Sequence, residues 1–262
     1  MDQVSAVCRR RHLSRRTEAA YRFWIRQYIR FHQRRHPREV GTPGIAPFVN
    51  YLATQRQVAA STQSQARNAV LFLYRDVLEL DIGRLQGLRR VQRISRLPVV
   101  LTIDEVRHIL AAMDGTPRLI AEMLYGTGLR ITEGMTLRVK DVDFRSGTIH
   151  VRCGKGGKDR TTLLPARLAQ ALQQHLLRVA ALHKWDLAHG RGFAPLPGAL
   201  DRKYPYASRS LSWQFLFPSK VVRPCPATGR ILRWHASETT VQKMFKNRPH
   251  GDGEQRHCPV AA

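Results

Sequence analysis

LYGTGLRITEGMTLRVKDVDFRSGTIHVRCGKGGKDR, residues 124–160, carries the clearest structural signals in the chain. Helix-stop and turn signals predict the end of a helix, a glycine-containing bend over Gly126 to Gly128, and a short helix from Ile131 to about Arg138. A β-hairpin follows, its strands near Thr148 to Arg152 and Thr161 to Leu164, joined by the glycine-rich run from Cys153 to Lys158. Two cations stand at the two bends, Arg130 and Lys155. An arginine behind a glycine turn is also what an ordinary solvated surface looks like. Here it is a planar, permanently charged, bidentate donor at a glycine-shaped corner, a combination that suits a phosphate. Glu133, three residues on, shares its helix face and can pair with Arg130 or with a backbone N–H. Glycines at 154, 156 and 157 let a backbone approach a ligand closely while Lys155 reaches inward, although a glycine-rich tip is equally at home as a solvated turn.

These motifs carry a family resemblance. GTGLRITEG (126–134), RVKDVDF (138–144), GKGGKDR (154–160) and LLP (163–165) resemble the first catalytic half of the tyrosine recombinases. With LPGALDRKYP (196–205) added, the pattern is similar to integron integrases, over roughly Ser14 to Lys243. The resemblance implies a mainly α fold with a small antiparallel β element: an all-helical N-terminal DNA-clamp domain, then an α+β recombinase catalytic domain. It implies that Arg130 clamps the scissile phosphate, that Lys155 is general acid to the leaving 5′ oxygen, and that Glu133 supports them. Phosphoryl transfer gathers negative charge on non-bridging oxygens and a departing alkoxide, so fixed cations and a proton donor are what the chemistry needs.

Composition points the same way. Forty-four Lys and Arg against 19 Asp and Glu give +25, which calls for a polyanion and most simply for nucleic acid. At 262 residues and 43% hydrophobic content the chain can build two ordinary cores. Cys8, Cys153, Cys225 and Cys258 show neither disulfide nor zinc spacing, so no metal or other cofactor is expected. No apolar run reaches the roughly 18 to 20 residues of a membrane span, and no hydrophobic signal core opens the chain, so a cytoplasmic protein without membrane contact is expected.

In chain order, residues 1–13 read as a basic flexible N-terminus and 14–80 as the helical core-binding domain. Ala20, Trp24, Tyr28 and Phe31 recur at helical spacing, with Arg22, Arg26, Arg30 and Arg34 down the other side. That row repels itself unless an anion lies along it, so Arg15, Arg16, Arg22 and Arg26 are expected on the DNA backbone. Thr42-Pro43 opens a segment burying Ile45, Phe48, Val49 and Leu52, and Ser61-Thr62 opens a third helix with Ala66, Val70, Leu73 and Val77 on one stripe. Residues 81–99 read as a basic linker. The partial catalytic domain, 100–246, starts at the capping box of Thr102 and Glu105, followed by a stripe of Val106, Ile109, Leu110 and Met113. Pro165 to about His183 is a strong helix in which His175 reads as a satisfied core residue.

An insertion at about 185–218 mixes cations with aromatics, including Tyr204, Tyr206, Trp213, Phe215 and Phe217. Those rings serve either as a subdomain core or as stacking platforms for bases splayed from a folded strand, a use the resemblance implies. On the second reading Trp213 stacks and Lys203 touches phosphate; separately, a second hairpin over Lys220 to Trp234 leads to His235, where the family tends to show a His pair, and His235 is expected on DNA. Lys158 and Arg160 are expected on DNA from the first hairpin.

The resemblance stops near Lys246. Residues 247–262, NRPHGDGEQRHCPVAA, continue no pattern, and all seven tyrosines lie at or before Tyr206. The family's second His-x-x-Arg block and its tyrosine nucleophile are thus not spelled, which reads as a truncated or frameshifted catalytic domain that binds DNA without cutting it. The expected partners are duplex DNA and folded single-stranded recombination sites, with self-association on DNA. Two other readings remain open: a non-catalytic DNA-binding protein that inhibits intact recombinase, and a basic RNA-binding protein.

Overall fold

The computed structural model describes residues 1–83, 100–152, 154, 157–226 and 228–246. Lys155 at the hairpin tip, most of the expected linker and the 247–262 segment lie outside the described residues. The chain divides into two units, Met1–Leu97 and Pro98–Ala262. It is mainly helical, with one three-stranded and one two-stranded antiparallel sheet among the described residues. No described helix is long and apolar enough to cross a membrane.

The first unit holds α1 (Asp2–Arg10), α2 (Arg15–Phe31), α3 (Pro37–Val40), α4 (Ile45–Thr54) and α5 (Ala60–Phe72), the last prolonged by a π-turn over Leu73–Val77. Ser14 caps α2 by accepting the Thr17 N–H at 3.1 Å. The core gathers Ile25, Tyr28, Ile45, Phe48, Ala66, Val70 and Leu73. At its centre the hydroxyls of Tyr28 and Tyr74 lie 2.8 Å apart, and Tyr74 also donates toward the Pro37 and Gly41 carbonyls.

Two expectations fail here. The first thirteen residues are not a flexible arm: α1 buries Val4 and Cys8 on one face, and Arg11 reaches the buried Asp76 carboxylate at 2.6 Å. The arginine row also ends early, because α2 stops at Phe31 and Arg34 sits beyond it at φ +63°.

In the second unit, α6 (Ile103–Ala111) begins at the Thr102–Glu105 capping box. Its stripe is shallower than expected: Val106, Ile109 and Leu110 are half-buried and Met113 alone is buried. Next comes α7 (Gly115–Thr127), stopped by Gly128 in the left-handed region at φ +65°. The bend is thus one residue, not three. Gly126 is still helical, and its lack of a side chain serves another end, since a Cβ there would meet Pro165 at 2.9 Å.

After α8 (Ile131–Thr136) come β1 (Val142–Asp143), β2 (Thr148–Val151) and β3 (Arg160–Leu163), in the order β1-β2-β3. Ile149 opposes Thr162 and Val151 opposes Arg160. Alternation puts Ile149 and Val151 in the core and His150 outside. Then α9 (Ala166–Ala188), α10 (Leu200–Lys203), β4 (Pro218–Pro224), β5 (Ile231–His235) and α11 (Glu238–Lys246) complete the unit. His175 is a core residue, donating from Nε2 to the Leu216 carbonyl at 2.8 Å.

The long helix outruns its expected end at His183 and claims the start of the expected insertion. His183 Nε2 donates to the Arg209 carbonyl at 2.9 Å, and Asp186, fully buried, takes Arg233 in a two-pronged ion pair at 2.5 and 2.7 Å. These contacts hold the last turn in place and tie β5 to it. Removing one partner of a buried ion pair strands the other, so Asp186→Ala should cost about 3–5 kcal/mol. Chemical denaturation of the purified chain, followed by far-UV circular dichroism, checks this.

Candidate functional site

The site is built at the junction of α7, α8 and the hairpin. Because Gly128 turns the chain sharply, Leu129 is buried and Arg130 takes an extended conformation as N-cap of α8. Gly134 lets α8 lie close to α7, where a Cβ would meet Leu124 at 2.6 Å. Glu133 is thereby drawn inward to 7% exposure, and its carboxylate turns back on the N-cap.

That carboxylate has two guanidinium partners. Arg130 gives its backbone N–H to Glu133 Oε2 at 3.0 Å and its Nη1 to Oε1 at 2.9 Å. Arg160, at the start of β3, grips the same two oxygens with Nη1 at 2.9 Å and Nη2 at 2.6 Å. Both partners stabilise the ionised form, Arg160 most of all, and hold the carboxyl down at about 2 despite the opposing effect of burial.

The hairpin base closes over this group. Gly154 donates to the Lys158 carbonyl at 3.0 Å, and a Cβ on it would lie 3.1 Å from Arg160 Nη1 and 3.3 Å from Glu133 Oε1. Two guanidiniums on one carboxylate leave a net charge of +1, complementary to a phosphodiester. Arg130 remains 57% exposed in its side chain, with donors besides the one on Glu133.

The other expected residues fall into separate places. In the first unit, Arg15, Arg16 and Arg26 are exposed along α2 and Arg22 is half-buried. Lys158 is exposed on the hairpin. Trp213 is half-buried, not an open platform, with Lys140 Nζ 3.1 Å and the Arg138 guanidinium 5.2 Å from its ring centroid. His235 is half-buried, edge-on to Phe215 at 5.0 Å, with Nδ1 2.8 Å from the Ala236 carbonyl oxygen. Arg138, 4.7 Å from the Phe215 ring, bridges Trp213 to this group. Phe215 and Phe217 are core residues, as one reading of the insertion had it. Lys203 is exposed on α10, its ammonium 5.4 Å from the Tyr204 ring.

Sequence reasoning missed a cationic group next to Trp213. Arg138 donates to the Trp213 carbonyl at 2.5 Å and the Pro195 carbonyl at 2.8 Å, while Arg152 pairs with Asp141 at 2.9 Å. A signal was present: Arg138-x-x-Asp141 repeats the spacing of Arg130-x-x-Glu133, and in both the acid accepts the arginine's own backbone N–H.

Comparison with known proteins gives a consistent result. Residues 1–84 match the "Phage integrase, N-terminal SAM-like domain" model and residues 99–252 match the "Phage integrase family" model. An "Integrase/recombinase" of Escherichia coli is 46% identical over 246 residues, covering 94% of this chain and 73% of the relative. The "Tyrosine recombinase XerD" of Mycobacterium tuberculosis is 30% identical over 225 residues, covering 76% of this chain and 70% of that protein. Among solved structures, the Tn1549 transposon integrase in complex with transposon right end DNA superposes with a TM-score of 0.56 at 17% identity, over 84% of this chain and 70% of that one, a likeness of fold.

A carboxylate held this low contributes stability in full above its unfolded value of about 4.3 and loses it as pH falls through about 2. Glu133→Gln should therefore melt below the unsubstituted chain at pH 7, by about 2 kcal/mol for the lost charge-assisted bonds. The gap should narrow steadily between about pH 4 and pH 2, as thermal melts at stepped pH will record.

Proposed function

We propose that this chain, which belongs to the phage integrase family, binds recombination-site DNA and grips one backbone phosphodiester with Arg130. The observation that carries this reading is the paired-arginine carboxylate: Glu133 fixes Arg130 while more than half of that side chain stays open. A guanidinium oriented in advance loses little freedom on meeting a phosphate, and it supplies the charge that phosphoryl transfer requires. Lys155, in the loop that Gly154 begins, acts as the proton donor to the leaving 5′ oxygen. The α2 arginines, Arg15, Arg16, Arg22 and Arg26, together with Lys158, supply backbone contacts that hold the duplex in register.

The finer assignment is an integron-type enzyme. Lys203, Trp213 and His235 meet folded single-stranded sites on this reading, and Lys140, 3.1 Å from the Trp213 ring centroid, sets a cation beside that aromatic. Within these 262 residues no tyrosine follows Tyr206, so binding and phosphate clamping, not strand cleavage, are assigned to this stretch. An RNA-binding role is the weaker alternative, since the paired-arginine site sits in the region matched to the integrase family model.

The logarithm of the affinity for a duplex site should fall linearly with log salt, and Arg22→Ala and Arg26→Ala should each lower the slope by about 0.9 without changing site preference. Fluorescence anisotropy over a salt series measures this, with structured RNA at matched salt as the competitor. On a nicked suicide substrate the purified chain should yield no covalent protein–DNA adduct. Such an adduct on a denaturing gel would overturn the binding-only assignment.

A further inference from the structure

We propose that Arg160 is a positioning residue for the clamp: it acts through Glu133 to couple the hairpin to Arg130, and it does not itself contact DNA. This rests on the reading of Arg130 as the phosphate clamp. From sequence, Arg160 is one more hairpin cation beside Lys158, and a DNA contact is the natural expectation for it. The geometry directs it elsewhere. Its two terminal nitrogens lie on the two oxygens of Glu133 at 2.9 and 2.6 Å, the planar fork-to-fork fit a guanidinium makes with a carboxylate. Those oxygens also orient Arg130, one through its side chain and one through its backbone N–H.

The position of Arg160 in the hairpin matters as much as its contacts. It forms the Val151–Arg160 pair, the last before the loop that contains Lys155. Gly154 lies so near that a Cβ on it would stand 3.1 Å from Arg160 and 3.3 Å from Glu133. One carboxylate therefore links the N-cap that presents Arg130 to the first residue of β3, and Gly154 packs beside that group. Closing the hairpin and aiming the clamp become a single event. Arg160 also dominates the forces that keep Glu133 ionised, ahead of Arg130.

The test is a double-mutant cycle on the full 262-residue chain, read as affinity for a duplex recombination-site oligonucleotide. Arg130→Ala and Arg160→Ala are each expected to weaken binding about tenfold, and the double variant is expected to weaken it by about the same tenfold instead of a hundredfold. Arg160→Lys should not rescue, because a single ammonium cannot span both carboxylate oxygens as the guanidinium does. Additive losses, or rescue by lysine, would identify Arg160 as a direct phosphate contact and overturn the proposal.

A second measurement needs no DNA. Amide hydrogen exchange at Gly154, Gly157 and Gly134 should accelerate at least severalfold in Arg160→Ala while exchange in the first unit is unchanged. Unchanged exchange at those glycines overturns the coupling. If exchange accelerates but Arg130→Ala binds DNA normally, the coupling stands and the reading of Arg130 as the clamp is what fails.

Discussion

Everything at the candidate site depends on keeping one carboxylate ionised while it is removed from water. An isolated buried carboxylate would take up a proton, and the arginine it was meant to hold would then drift. Glu133 escapes this because Arg130 and Arg160 reach it from two directions and leave neither oxygen without donors. Only a chain that brings α8 and β3 together can assemble that group, so the local chemistry presupposes the fold. The glycines at 128, 134 and 154 supply the necessary closeness: a left-handed stop, a tight helix crossing and a backbone position set close beside the ion pair.

The same device recurs through a chain that has 44 Lys and Arg and only 19 Asp and Glu. Asp76 is approached by Arg11 and Arg75, Asp186 by Arg233 and Arg191, and Asp141 binds Arg152 while capping Arg138. Each of these acids is buried, and each gathers cations from different parts of its unit. Acids are scarce here, and the buried ones are placed where they neutralise cations that the fold must bring together. The remaining positive charge stays on the outside, where a polyanion can reach it.

What could be read from sequence was what is local. Thr102 announced its helix because an N-cap is a matter of three residues, and the buried alternation of Ile149 and Val151 marked the hairpin strand. Arg130 and Glu133 could be paired for the same reason. The Glu133–Arg160 and Asp186–Arg233 pairs span 27 and 47 residues, and no periodicity connects such positions. The burial of α1 was hidden by the run Arg9-Arg10-Arg11 at its C-terminal end, which made an amphipathic helix look like a basic arm. Gly126 was misread because glycine serves both turns and close contacts, and sequence alone does not distinguish them.

The sharing of acids makes the chain's tolerance to change lopsided. Most of its arginines are surface charges, and losing one leaves the protein slightly less positive and otherwise intact. Losing Glu133 would set two guanidiniums against each other at close range, with the hairpin and α8 pushed apart along with them. Among descendants of this sequence, drift should therefore erode those basic positions that meet neither an interior acid nor DNA, while the few interior acids persist almost unaltered.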